Sequence, residues 1–387
     1  LRYNVPAAIA ADGSLELNYP VGAVRESAPI AWQTRAGRQV PVAVAFQIHP
    51  AAAGAPEQVG FKVGAYDPAL PLTIDPVITW NTYLGGSGTD DIYEIAVDTS
   101  DNLYVVGNST TTWGSPVRAF SGGSVSGDAF VAKLDSSGNL LWNTFLGGSG
   151  DEYGYGVAVD ASGNVYATGR SSSTWGAPVR TFRGVQINGW AAKLNSSGTL
   201  LWNTFQGTNN AQAHTFGVTV DSSGTVYICG EANASWGETV TRAFAAAYDA
   251  FVAKLNSSGV LQWVSFMGGS SNDNDKATRV TVNGDGYVYV TGFSEGKWPF
   301  VSPIRAYSQG RDIFIAKLDS TGPAWWYTFL GGSGNDEAYD LALDSSSNIY
   351  VSASSTATWG TPSHAYTAGT DALVAKVTSA GALSWST

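Results

Sequence analysis

The chain has 387 residues, of which only 13% are charged, and its net charge is −11. That balance excludes a nucleic-acid partner, because phosphate contacts need clustered Lys and Arg. A single cysteine, Cys229, rules out an intrachain disulfide, and its Val-Tyr-Ile-Cys-Gly context reads as a small apolar residue buried in a strand. No apolar run reaches transmembrane length, and the length allows two domains with a sizeable core.

Residues 1–76 read as a small β-rich domain. Short strands are expected at Leu15–Tyr19, Ala31–Thr34, Val40–Ile48, Val59–Tyr66 and Leu72–Ile74, with a loop at Ala51–Pro56. Pro50, Pro56, Pro68, Pro71 and Pro76 punctuate this region and make Asp67–Pro76 the expected hinge. An alternative has strands 40–48, 57–66 and 72–84 forming a degenerate extra blade. The chain opens at Leu1 without Met or a signal peptide, as expected of a processed or trimmed form.

From residue 77 onward one phrase recurs. Leu141-Trp142-Asn143-Thr144-Phe145-Leu146-Gly147-Gly148 has counterparts around Trp80, Trp202, Trp263 and Trp326, and a clipped one around Trp385. These six tryptophans are 62, 60, 61, 63 and 59 residues apart, a period that signals a repeat architecture. Within each repeat four short runs rich in Val, Tyr, Phe and Trp alternate with Asp/Asn/Ser/Gly turns, as in Val157–Asp160, Val165–Gly169, Trp190–Leu194 and the Trp202 segment. Gly supplies positive φ in such turns, and Asp or Asn bonds its own backbone. No helical periodicity is long enough for a crossover helix. Four antiparallel strands per repeat describe a β-propeller blade, so residues 77–387 are expected to form an all-β propeller of five blades, with six as the alternative. A parallel β-helix is less suited to these hairpin turns. The Val-Ala-Val-Asp strand should lie nearest the axis, where small Ala96, Ala158, Thr219, Thr281 and Ala342 fit.

At Asp128–Trp142, Leu146–Glu152 and Tyr155–Asp160 the chain resembles the bacterial SBBP-type propeller repeat. The resemblance covers about 77–387, and residues 1–76 resemble the β-rich segment that often precedes such repeats. The third and fourth repeats depart most, with Gln206–Asn210 in place of Leu-Gly-Gly-Ser-Gly and Asn283–Gly286 in place of Asp-Ser-Ser-Gly. The resemblance implies a secreted or surface-displayed bacterial protein and no reaction.

Trp80, Trp142, Trp202, Trp263, Trp326 and Trp385 are expected to dock one blade on the next. Each ring would bury on the order of 200 Å², worth up to ~5 kcal/mol at about 25 cal/mol per Å². A second series, Trp113, Trp175, Trp236, Trp298 and Trp359, lies in the loop after the second strand, followed by Arg118, Arg180, Arg242 and Arg305, with His364 in the last copy. One reading tucks these rings against the blade while Arg satisfies carbonyls. The other makes them aromatic platforms for a sugar or a partner. The Lys series 133, 193, 254, 317 and 376 is expected to pair within the blade with Asp128, Asn188, Asp249, Asp312 and Asp371.

The acidic clusters Asp90-Asp91, Asp151-Glu152, Asp273 with Asp275, and Asp336-Glu337 are expected to cap turns. Adjacent strand residues point to opposite faces, which does not make the carboxylate pair of a glycosidase. No catalytic residue and no cofactor are expected. Calcium is the one ion these turns would suit, although no loop follows the EF-hand pattern. His49, His214 and His364 lack metal-ligand spacing to one another. Asn108, Asn195, Asn233 and Asn256 head formal glycosylation sequons.

Three classes of function are left: a non-enzymatic structural protein of the cell surface, a propeller binding glycan or protein, and a secreted glycoside-active enzyme. The first is favoured, because no blade looks specialised. Assembly is expected to use the chain's terminal strands: Val77–Leu84 would complete the last blade, leaving the Trp385 strand to add to a neighbouring copy.

Overall fold

A computed structural model describes the chain except for residues 1, 4–6, 12, 20–21, 27, 36, 50–56, 76–80, 123–126, 185–186, 210, 270–272 and 301. Among the described residues there are strands and no helix, and hence no helix long and apolar enough to cross a membrane. The chain divides into two compact units, Leu1–Thr82 and Tyr83–Thr387.

The first unit holds three three-stranded sheets. Val44–His49 pairs with Glu57–Val63, which also pairs with Arg2–Tyr3; Leu15–Tyr19 lies between Ala7–Ile9 and Gly22–Glu26; Ile30–Arg35 lies between Arg38–Val42 and Leu72–Asp75. Leu15, Leu17, Phe46 and Val59 form its core. The extra-blade alternative fails here, because strands 40–48, 57–66 and 72–84 fall into two different sheets. The run read as one strand over Val40–Ile48 is two strands, broken at Ala43. The expected loop at 51–56 lies outside the described residues.

The second unit is a β-propeller of five blades. Each blade is an antiparallel sheet in chain order, from an inner strand to a rim strand. The inner strands are Asp90–Val97, Glu152–Val159, Ala213–Val220, Asp275–Val282 and Asp336–Leu343. The rim strands are Leu140–Leu146, Leu200–Gln206, Leu261–Met267, Ala324–Leu330 and Leu383–Ser386. The third blade gains a short strand, Val240–Arg242, parallel to its rim strand. Each inner strand packs on the inner strand of the following blade, whereas the fifth inner strand has no comparable packing on the first. The second strands are Leu103–Ser109, Val165–Ser171, Val226–Ala232, Val288–Ser294 and Ile349–Ser355, and the third strands are Asp128–Leu134, Asn188–Leu194, Asp249–Leu255, Asp312–Leu318 and Asp371–Val377.

The rim tryptophan fastens one blade to the next. The Trp142 indole N–H donates to the Ser196 carbonyl at 3.0 Å, Trp202 to Ser257 at 3.0 Å and Trp263 to Ser320 at 3.1 Å. Each acceptor sits in the hairpin turn between the third and rim strands of the next blade. The glycine of that turn is needed twice over. Gly198 and Gly259 have φ near +80°, which disfavours L side chains, and a Cβ on either would come within 2.8 Å of the docked indole. Trp385, in the fifth blade, is 42% exposed, whereas Trp202 and Trp263 are 9% and 5% exposed. Trp80 lies outside the described residues.

Two further expectations need correcting. Leu383–Ser386 is not surplus: it pairs with Asp371–Val377 as the rim strand of its own blade. Of the segment expected to close that blade, 77–80 lies outside the described residues and Asn81–Leu84 forms no strand. The lysines also choose other partners. Lys133 reaches Asp98 at 3.9 Å and sits over the Tyr104 ring, and Lys376 reaches Asp344 at 3.7 Å over Tyr350. Asp128 and Lys133 are five residues apart on one strand, so their side chains lie on opposite faces and about 16 Å apart.

Burial predicts that Trp202→Ala costs about 3–5 kcal/mol, the usual loss for a large aromatic removed from a core. Trp385→Ala should cost under about 1 kcal/mol in the dissociated chain. Urea denaturation of dilute protein measures both.

Candidate functional site

The loop tryptophans are interior. Trp113, Trp175, Trp236, Trp298 and Trp359 are 3–7% exposed. Trp113 meets Phe130 and Phe145 edge-on with centroids 5.0 and 6.0 Å away, and Trp236 meets Phe251 and Phe266 in the same way. Arg118 donates to the Phe145 and Gly147 carbonyls at 2.7 Å each while lying over Trp175 of the next blade. Arg180 and Arg305 repeat this on Phe205 and Gly207, and on Phe329 and Gly331. Arg242 departs, stacking on Phe300 at 3.6 Å. A sugar platform needs an open ring face; Trp113, Trp175, Trp236 and Trp298 are packed within their blades, whereas Trp359 borders a cavity of about 350 Å³.

The acidic positions are also built into blade junctions. In the four described Gly-Gly turns the second glycine donates its N–H to an acid: Gly86 to Asp90, Gly148 to Glu152, Gly269 to Asp275 and Gly332 to Asp336. An acid of the preceding blade stands across the turn. A Cβ on Gly147 would lie 2.5 Å from Asp128 Oδ1 and 2.6 Å from Glu152 Oε2. Asp249 with Asp275 and Asp312 with Asp336 repeat the arrangement, and all six carboxyl groups are buried. Burial pushes Asp128 and Asp275 up to about 7, and Asp249 and Asp312 up to about 6. With no accessible surface these pairs cannot receive a glycosidic oxygen. Among the described residues no three His, Cys, Asp or Glu side chains gather as a metal set.

The symmetry breaks at the inner strands. Each inner strand carries a β-bulge at the same offset, at Tyr93, Tyr155, Phe216, Thr278 and Tyr339. The residues that follow are Glu94, Gly156, Gly217, Arg279 and Asp340, five positions with four residue types. Arg279 of the fourth blade pairs with Glu94 of the first at 2.7 Å and with Asp340 of the fifth at 2.9 Å. A Cβ on Gly217 would lie 3.2 Å from Arg279 Cα and 2.8 Å from Cys229 Sγ, so glycine leaves room for the arginine. Burial pushes Glu94 up to about 7, against the pull of Arg279 and the Val157 N–H. Burial also pushes the Cys229 thiol up to about 12, where it is inert.

Around this cluster the bulged rings touch one another, Tyr93 with Tyr155 at 5.6 Å and Tyr155 with Phe216 at 5.2 Å. Arg170 lies over Tyr153, Lys276 over Phe216, and His214 Nδ1 meets Glu231 at 2.8 Å. Arg311 bonds Glu295 and Glu337. Of these residues the sequence reading had singled out His214 and Glu337 alone, and neither for this arrangement. The available signal was divergence at one fixed offset of an otherwise even repeat.

The chain matches the family model described as "Beta-propeller repeat" (SBBP) over residues 79–112, 141–174 and 326–358. The chain carries SBBP beta-propeller repeats. Each match begins at the rim phrase, crosses the inner strand and stops just before the loop tryptophan. Residues 1–77 match a "Domain of unknown function (DUF7948)". No curated protein sequence matches the chain. Among solved structures it is similar to Kuenenia stuttgartiensis hydrazine synthase, with 8% identity, a TM-score of 0.44, and coverage of 78% of this chain and 67% of that one. It is also similar to rhamnogalacturonan lyase YesW, with 13% identity, a TM-score of 0.34, and coverage of 99% and 75%. Likeness at this level says nothing about the chemistry of the SBBP propeller.

The two kinds of acid predict a pH optimum for stability. Asp128, Asp249, Asp275 and Asp312 hold their protons more tightly folded than unfolded, where Asp titrates near ~4. Their contribution is complete below that value and is lost as pH rises through 6–7. Asp98, Asp160 and Asp221 act oppositely: burial raises them, but hydrogen bonds from their own turns outweigh it and hold them low, Asp98 at about 2. Their contribution is lost only in stronger acid. Thermal melts should therefore show a higher midpoint at pH 5 than at pH 8, and Asp128→Asn with Asp275→Asn should narrow the difference.

Proposed function

We propose that this SBBP propeller is a non-enzymatic structural module of the cell exterior that assembles through the outward faces of its first and fifth blades. One observation carries the reading. Ile95 of the first inner strand is 54% exposed, whereas its counterparts Val157, Val218, Val280 and Leu341 are 4–9% exposed, each packed on the preceding blade. Ile92 and Val97 beside it are 50% and 55% exposed. On the other side Val374 is 41% exposed, whereas its counterparts Val131, Val252 and Ile315 are fully buried. Both faces thus carry the apolar groups that every internal junction covers, and the two faces are complementary in kind. The low charge, the single cysteine and the glycine-rich composition support an exterior setting.

A second reading, a propeller that binds glycan or protein, is favoured by the unlike residues on the inner strands. Tyr93, His214 and Lys276 on the inner strands, with Arg170 on the adjoining second strand, differ from blade to blade where a purely structural surface would have no reason to. A glycan array probed with the Tyr93→Ala and Arg170→Ala variants separates this reading from the first.

Light scattering over a wide concentration range tests the assembly reading. Species larger than one chain should grow with concentration. Ile95→Glu or Val374→Glu should abolish them with melts shifted by no more than about 0.5 kcal/mol, as for exposed positions. A chain that stays monomeric throughout would overturn the reading.

A further inference from the structure

We infer that the bulged ends of the inner strands bind an acidic saccharide, one with a carboxylate on each sugar unit, held by Arg170 and Lys276. The inference rests on the second reading above and names its ligand class. One cross-strand register position lies beside each bulge. In the second, third and fourth blades it is filled by Tyr153 opposite Arg170, His214 opposite Glu231 and Lys276 opposite Phe293. Four hydrogen-bond donors at this place lack a partner. Among the described residues neither the Arg170 guanidinium nor the Lys276 ammonium makes an ion pair or a hydrogen bond; each rests only on a ring, Arg170 on Tyr153 at 4.3 Å and Lys276 on Phe216 at 3.9 Å. The Tyr93 and Tyr155 hydroxyls have no hydrogen-bond partner among the described residues either. By contrast Arg279 and Arg311, in the same fourth blade as Lys276, each hold two carboxylates.

The acids that face these donors leave them unmatched. Glu231 is bound by His214 at 2.8 Å, and Asp91 is an exposed residue of the first blade. Burial raises the Tyr93 and Tyr155 hydroxyls, Tyr155 to about 12, while the nearby Arg170 charge pulls the other way, so both stay protonated and donate. A half-buried charge without a counter-ion is costly. Four unmatched donors select a ligand rich in acceptor oxygens, and carboxylate makes the strongest bonds to guanidinium and ammonium. The two cations do not share one place. They end a chain of contacts that runs from Arg170 over Tyr153, through Tyr155 at 6.0 Å and Phe216 at a further 5.2 Å, to Lys276. Arg170, Tyr155, Phe216 and Lys276 are all half-buried and keep part of their surface open. The order is cation, rings, cation. An oligouronate presents the complement: a carboxylate, the apolar C–H face of a pyranose, and the next carboxylate. An acidic peptide has no such face between its carboxylates.

Isothermal titration of the full chain tests this, with a melt of each variant to check folding. The probes are a glucuronic-acid hexasaccharide, a glucose hexasaccharide and a glutamate hexapeptide. The uronate should bind about tenfold more tightly than either of the others, and Arg170→Gln and Lys276→Gln should each weaken it about fivefold or more. Tyr155→Phe, which keeps the ring and removes only the hydroxyl, should weaken it too and serves if Arg170→Gln fails to fold. Lys193→Gln, which takes a lysine from the Tyr166 ring instead, should leave it unchanged. Uronate binding that survives Arg170→Gln and Lys276→Gln overturns the site and leaves the second reading standing. Glucose or glutamate chains that bind as tightly overturn the ligand class. A wild-type chain that binds no saccharide on a broad glycan array overturns both the inference and the glycan reading beneath it.

Discussion

A tryptophan ring laid on a glycine turn is the contact on which the propeller depends. Each blade alone is a four-stranded sheet with two apolar faces, and it buries them only by stacking. The indoles of Trp142, Trp202 and Trp263 reach across the rim to the Ser196, Ser257 and Ser320 carbonyls. Near the axis Val157, Val218, Val280 and Leu341 fill the other end of each junction. Between these two points Arg118, Arg180 and Arg305 close the loop, binding carbonyls of their own blade while covering the loop tryptophan of the next. The repeat is thus a unit of docking more than a unit of folding, and its stability is shared between neighbours.

That arrangement explains why so much of the fold was legible in the sequence. The Trp period survives because the same ring must meet the same turn at every junction, and Gly198 and Gly259 survive for two separate steric reasons. The hairpin turns were legible through Asp160, which binds the Ser162 and Asn164 N–H groups. Other features were not local enough to read. The lysine partners came out wrong because pairing was inferred from nearness in sequence, whereas Lys133 answers to Asp98 in the turn between the first and second strands of its blade. The strand pairings of the first unit were not legible, because those such as Ile30–Arg35 with Leu72–Asp75 join residues some 40 apart with no repeat to reveal them. The fifth rim strand was taken as surplus for want of its Phe-Leu-Gly-Gly continuation, yet three residues of pairing hold it in its own blade.

The candidate site was the least legible part. An even repeat draws attention to what is shared, and the shared tryptophans, arginines and acids are all consumed by packing. What differs between blades is set at one offset, where Glu94, Arg279 and Asp340 meet across Gly156 and Gly217. Their convergence needs the curvature of the whole propeller and cannot be read from any single blade. Apolar side chains of the first and fifth blades, Ile95 and Val374 among them, are exposed where their counterparts in the other blades are buried.

The docking account is tested most directly by hydrogen exchange at the tryptophan indoles, followed by NMR at several protein concentrations. The account predicts slow exchange for Trp142, Trp202 and Trp263 at every concentration. Trp385 should exchange freely in dilute protein and become protected as copies associate. Protection of Trp385 in the dilute monomer, or free exchange of Trp202 and Trp263, would contradict it.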